Sequence, residues 1–278
     1  GLLEDGNSTL EASVKAEGIS AGKLFIGKLA ADAAIINGSG SVTASLAGRR
    51  GTNFALQGTG AFSPDKIVAF VAGEYAGRTI SMPRRAVLDR EGDGWRLQPT
   101  QIDFGRGSVI ANGRLLGGPT ELKLMLSRMP LSVLDIVLPD LGLGGLASGV
   151  IDYENDHLGT PAGHAAVEVK GLTRSGLVLT SRPLDIALVA ALDPAALQVR
   201  AVAREGAAMR GRVQALISDL PRGGTMLERL RGGKLRAQVR YSGPAEALWR
   251  LVAVEVIDLT GPLGAAADIT GSIDHPVI

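Results

Sequence analysis

Apolar and polar residues alternate along much of this chain with a period of two. STLEASVKAE (8–17) sets Leu10, Ala12, Val14 and Ala16 against Glu11, Ser13, Lys15 and Glu17. SVTASLAG aligns Val42, Ala44 and Leu46, and TNFALQGTGAF continues with Phe54, Leu56 and a glycine break. ELKLMLSR aligns Leu122, Leu124 and Leu126 opposite Glu121, Lys123 and Ser127. KLRAQVRY aligns Leu235, Ala237, Val239 and Tyr241 opposite Lys234, Arg236, Gln238 and Arg240. Such alternation is the mark of strands with one dry and one wet face. Gly- and Asp-rich breaks such as REGDGW (90–95) read as hairpin turns.

Helical signals are few and short. SPDKIVAFVAG (63–73) opens on Ser-Pro-Asp, a helix-start signal. MPLSVLDIVLPDL (129–141) has helical spacing between two prolines, PRGGTMLERLRGG (221–233) holds about two turns, and GPAEALWRLVAV (243–254) begins at Pro244. The class is therefore mainly β, with strand-length units every 10 to 14 residues or so, as in a sandwich, a barrel or an elongated stacked sheet.

Composition sharpens this picture. Hydrophobic residues make up 45% but aromatics only 4%, and Gly is 38 of 278. The apolar content lies in Ala, Val, Leu and Ile rather than in the aromatic side chains that dominate thick cores. That suits a shallow, extended apolar layer. An Ala-rich globular protein would share the composition, and a closed β-sandwich would hide the same alternation. Net charge is +1, so no global field favours nucleic acid or an anionic membrane surface. Cysteine is absent and histidine numbers 3, which excludes disulfides and thiolate metal sites. Lack of cysteine suits a cytoplasm or an oxidising periplasm. No apolar run reaches the length of a membrane-spanning helix, about 18 residues or more. The opening GLLEDGN, without Met and in mid-pattern, reads as the start of an internal piece of a longer chain.

Short motifs suggest chemistry but lack its context. GISAG (18–22) matches G-x-S-x-G with Ser20 as nucleophile, yet strand-like sequence flanks it where an elbow requires a strand and then a helix. GKLFIGKL (22–29) approaches a P-loop at Lys28 but has no following Ser or Thr for magnesium. GLGGLA (142–147) has dinucleotide-loop spacing without the preceding strand. DYENDH (152–157) gathers Asp152, Glu154, Asp156 and His157, but a calcium loop would want Gly and Glu where His157 and Gly163 stand. Arg49-Arg50 and Arg84-Arg85 have no neighbouring aromatics on which bases could stack. No catalytic residue, metal or cofactor is expected.

The succession of pieces is more specific than any of these motifs. GSVIANGRLLGG is followed by ELKLMLSRMPLSVLDIVLPDLGLGGLASGVIDY and LGTPAGHAAVEVKGLTRSGLVL, and LWRLVAVEVIDLTGPLGAAADITGSIDHPVI repeats the tail of that order. This closely resembles the TamB family, the inner-membrane component of the translocation and assembly module of Gram-negative bacteria, related to AsmA-like proteins. The likeness is clearest over 105–170 and 244–278. It implies an elongated, curled β-sheet, a β-taco or open groove with an apolar concave face, continuous over 1–278 with a soft subdivision near 140–165. The repeated small-Gly-strand-Pro phrase would mark junctions between rungs, with glycine permitting a bend and proline capping an edge. Family members carry an N-terminal membrane anchor and meet an outer-membrane barrel of the Omp85 type (TamA or BamA-like). Both are expected to belong to parts outside these residues.

The function so implied is that of a periplasmic, non-enzymatic conduit. Phospholipid would pass between the inner and outer membranes along a groove lined by Leu10, Val14, Val42, Leu46, Phe54, Leu56, Leu122, Leu124, Leu126, Val167, Val169, Leu235, Val239 and Tyr241, the few large aromatics leaving it open. The alternative is a scaffold for outer-membrane protein assembly that receives a client strand at a sheet edge.

Overall fold

A computed structural model describes residues 9–22, 24–136, 141–156, 159–175, 180–251 and 259–278, apart from the side chain of Trp249. The chain is 72% strand and 7% helix, a mainly β fold of antiparallel, sequentially paired strands with three short helices. It divides into two compact units, one of 1–117 with 136–140 and one of 118–135 with 141–278. Residues 140–165, where the sequence suggests a subdivision, include strand Leu143–Asn155 of the second unit.

The first unit holds β1 (Thr9–Ala21), β2 (Leu24–Ile36), β3 (Ser39–Arg50), β4 (Thr52–Ser63), β5 (Lys66–Tyr75), β6 (Arg78–Ser81), β7 (Ala86–Glu91), β8 (Gly94–Phe104) and β9 (Gly107–Leu115). Consecutive strands pair as hairpins from β1 to β5. Beyond β5 the next rung is split. The β6 strand pairs with β5 at Gly73–Tyr75, β7 pairs with it at Lys66–Ala69, and both continue onto β8. The gap between them is filled by buried Met82, whose Sδ accepts the N–H of Val71 at 3.2 Å.

The run at 63–73 departs from expectation: Ser-Pro-Asp makes the β4–β5 turn, and Lys66–Tyr75 is a strand. Alternate partners on β4, such as Phe62 for Ile67 and Gly60 for Ala69, favour the extended backbone. β-branched Ile67, Val68 and Val71 suit it as well.

The second unit holds β10 (Thr120–Pro130), β11 (Leu143–Asn155), β12 (Pro161–Arg174), β13 (Leu184–Leu192), β14 (Leu197–Glu205), β15 (Ala208–Ser218), β16 (Lys234–Pro244), β17 (Pro262–Gly271) and β18 (Pro276–Val277). Every consecutive pair is antiparallel. A 3₁₀ turn spans Leu131–Ile136 within the expected helical stretch at 129–141. Helix α1 (Met226–Gly232) starts at Thr225, whose hydroxyl accepts from Glu228 N while the Glu228 carboxylate accepts from Thr225 N. Helix α2 (Ala245–Trp249) follows Pro244. These match the helical signals at 221–233 and 243–254; 252–258 lie outside the described residues.

Of the prolines in the repeated phrase, Pro276 stands on β18, which pairs with β17 on one side only and so is an edge strand as expected, whereas Pro161 stands on β12, flanked by β11 and β13. Pro161 and Pro276 are the first residues of β12 and β18, another position where a missing N–H costs no ladder bond.

Candidate functional site: the apolar face of each unit

Residues directly opposite one another on neighbouring strands project from the same face of a sheet. The pairing therefore shows which side chains share a surface. In the second unit one rung runs Leu124, Ile151, Ala165, Ala190, Val199, Ala215, Ala237, Ile269. The next runs Leu126, Gly149, Val167, Leu188, Ala201, Val213, Val239, Ala267, and on the other side lies Leu122, Tyr153, Gly163, Leu192, Leu197, Ile217, Leu235, Gly271. Across eight strands these three rungs carry no charge. The reverse face reads Lys123, Asp152, His164, Ala191, Gln198, Leu216, Arg236, Thr270.

The first unit repeats the arrangement. Ala16, Leu29, Leu46, Leu56, Gly73, Ile80 and Phe104 form one rung, and Val14, Ala31, Ala44, Gly58 and Val71 another. Behind them stand Ser13, Asp32, Thr43 and Thr59.

The sequence-derived lining falls on these faces. Leu10, Val14, Val42, Leu46, Phe54 and Leu56 share the apolar register of the first unit. Leu122, Leu124, Leu126, Val167, Val169, Leu235, Val239 and Tyr241 share that of the second. Their environments differ. Leu10 and Val14 are more than half exposed, at 56% and 52%. Phe54 is half-buried, and its ring lies against Gly48, where an added Cβ would approach Cζ to 2.9 Å. Tyr241 departs from the expected open lining: it is 6% exposed, and its hydroxyl donates to the Pro244 carbonyl at 2.7 Å. Burial and the nearby Glu205 carboxylate push its pKa up.

Neither face is a sealed core. Most of these side chains are half-buried, neither fully covered nor fully solvated.

Helices α1 and α2 lie at opposite ends of the strands. From α1, buried Arg229 donates to Gly159 O at 3.3 Å and Pro194 O at 3.0 Å, tying the β11–β12 and β13–β14 turns together. On α2, Ala245 and Ala247 are buried. At that end Arg174 donates to Leu251 O and Arg250 to Thr180 O.

The short motifs fall on strands and turns. Ser20 is the penultimate residue of β1, opposite Phe25, so GISAG is a hairpin end. Gly22 is in that turn and Lys28 lies within β2. Gly144 and Gly145 belong to β11. Asp152 and Glu154 are exposed on the reverse face, and Asp156 Oδ1 accepts from Thr160 N in a turn; His157 lies outside the described residues. Among the described residues no group of three or more His, Asp and Glu could hold a metal, and no helix is long and apolar enough to cross a membrane. No family model, curated protein or solved structure matches the chain.

Proposed function

We propose that each apolar face is a cradle for lipid acyl chains, and that the chain is a periplasmic, non-enzymatic segment of a phospholipid conduit between the inner and outer membranes. One observation carries this reading. Rung after rung of directly paired residues is apolar on one side and largely polar on the other, and most side chains of the apolar side are only half-buried. An apolar surface this extensive marks a binding site. An acyl chain gains about 0.8 kcal/mol for each methylene withdrawn from water. A lining of Leu, Val, Ile and Ala offers no directional hydrogen bond, so a chain can occupy successive positions with little preference. The likeness to the TamB family adds the location, the inner-membrane anchor and the Omp85-type barrel partner, all carried by parts of a longer protein.

The test is native mass spectrometry with lipid extraction on the washed protein. Several phospholipids per chain are expected. They should be lost when Leu122, Leu124 and Leu126 are all changed to Asp, with circular dichroism and the cooperative melt retained. Three buried charges in a sealed core would instead abolish folding, because each unpaired buried charge costs several kcal/mol. Loss of the fold, or a lipid-free wild-type chain with a client peptide paired to it, would replace the conduit with a closed core or an assembly scaffold.

A further inference from the structure

The reverse face of the second unit divides by charge. On β10 to β13 its carboxylates, Glu121, Asp152, Glu154, Glu168 and Asp185, outnumber Lys123 and Lys170. On β14 to β17 the cations Arg200, Arg204, Arg212, Lys234, Arg236 and Arg240 face only Asp268 among the described residues.

Much of this charge is unmatched within the unit. Lys123 pairs with Glu121 at 3.0 Å, Lys170 with Asp185 at 3.3 Å and Arg240 with Asp268 at 3.0 Å. Among the described residues, Asp152, Glu154 and Glu168 on the acidic half are exposed and form no ion pair, and the same holds for Arg200, Arg204, Arg212 and Arg236 on the basic half. Like charges even stand directly opposite one another, Glu154 against Glu121 and Arg212 against Arg240. Such pairs destabilise a sheet taken by itself.

The acidic half also carries an apolar rung. Met125, Val150, Ala166 and Val189 are paired in line, and Met125, Val150 and Val189 are 56%, 42% and 53% exposed. A shallow depression of about 500 Å³ lies over Val150, Ala166, Val189 and Ala191, with Arg200 at its rim.

A two-fold axis along the strands, midway between β13 and β14, lays this face on a second copy of itself. Each rung then meets the same rung, with β13 over the partner's β14, β12 over its β15 and β11 over its β16. Glu168 faces the partner's Arg212, Asp152 the partner's Arg236 and Asp185 the partner's Arg204. Ala187 faces the partner's Val202, and Val189 packs under the aliphatic stem of the partner's Arg200. Symmetry makes every one of these contacts twice. A polyanion would suit the basic half and be repelled by the acidic one, and a polycation the reverse. A second copy presents both halves at matching spacing. Six strands about 4.8 Å apart and four rungs about 6.8 Å apart cover roughly 800 Å² per copy, the scale of a specific dimer interface.

We propose that the reverse face of the second unit docks a second copy of this chain about that two-fold axis. The face lies behind the acyl cradle, and the proposal does not rest on it.

The experiment is sedimentation velocity of the whole chain over a concentration series, at low salt, in about 0.5 M sodium chloride, and with dodecyl maltoside below its micelle concentration. A monomer–dimer equilibrium is expected that salt weakens about tenfold and the maltoside leaves unchanged. Glu168→Arg and Arg212→Glu each set like charges face to face twice, so each should weaken the dimer about tenfold, with unchanged circular dichroism. Mixed together, the two variants should associate within about threefold of wild-type strength, since each supplies the charge that the other lacks. A chain that stays monomeric, or a dimer that neither variant weakens, would overturn the proposal. So would a dimer that the maltoside dissolves and salt leaves alone, because it would join the apolar faces instead. A mixture that associates no better than its components would overturn the two-fold register. Where a variant fails to fold, the response of the wild type to salt and to the maltoside decides.

Discussion

At the scale of single residues, the two glycines of the repeated phrase do different work. Gly149 sits inside β11 at φ +148°, between Leu126 and Val167, and an added Cβ would lie 2.1 Å from the Ala166 carbonyl oxygen. The backbone of β12 comes that close only because no side chain intervenes. Gly271 instead ends β17 at φ +102°, where a Cβ would strike the His275 carbonyl oxygen at 2.5 Å across the tight turn to β18. Gly149→Ala should therefore cost about 2 kcal/mol or more, combining a backbone-conformation penalty with a forced strand shift. Gly264→Ala is the contrast. That position has an ordinary φ and nothing within 4 Å. There the loss of unfolded-state freedom should leave stability unchanged or slightly raised. Thermal melts of the two variants check both statements. Equal destabilisation would mean that the β11–β12 approach is not what requires Gly149.

At the scale of elements, α1 is short enough that its cap decides whether it forms. Seven residues make a marginal helix on their own. The reciprocal Thr225–Glu228 bonds satisfy two otherwise orphaned backbone N–H groups. The Thr225 backbone N–H holds the Glu228 carboxyl below its ordinary pKa. With the folded value depressed, the contribution of Glu228 is present above the unfolded carboxyl range, about 4.3, and is lost as pH falls through the lower folded value. Thr225→Ala should cost about 1 kcal/mol in chemical denaturation and Thr225→Ser much less. Amide exchange across 226–232 should quicken in the first, along with that of Gly159, Thr160 and 193–196, which Arg229 ties together. Unchanged exchange there would mean that α1 is held by packing rather than by its cap.

This same helix was readable in advance, since its cap, its two turns and its glycine stop are contiguous in sequence. Strands with strict alternation were readable for the same reason: near neighbours decide which face each residue takes. β13 was not, because LDIALVAAL is apolar on both parities, with Val189 and Ala191 on the reverse face. The run at 63–73 looked helical because Ser-Pro-Asp starts turns and helices alike, and only the facing residues of β4 decide between them. The division of the reverse face into an acidic and a basic half was illegible. Glu168 and Arg212 come to share a rung only through pairing across β12 to β15.

At the scale of the whole molecule, uncovered apolar faces have a thermodynamic signature that needs no ligand. The heat capacity of unfolding scales with the surface newly exposed, about +0.45 cal/mol/K per Å² for apolar area and a smaller negative term for polar area. A compact protein of 278 residues should show about 3.6 kcal/mol/K, from an average near 13 cal/mol/K per residue. Leu10, Val14 and Val42 are exposed and most other residues of the apolar rungs are only half-buried in the folded chain, so unfolding has less apolar area left to expose than in a protein that seals these side chains in a core. The heat capacity change should then fall short by on the order of 1 kcal/mol/K. Covering the faces reverses the deficit, so dodecyl maltoside below its micelle concentration should raise both the heat capacity change and the melting temperature. Scanning calorimetry with and without the amphiphile reads both quantities. A full compact-protein value in its absence, unmoved by its addition, would mean that the faces are already covered in solution, and the acyl cradle would have no surface to offer.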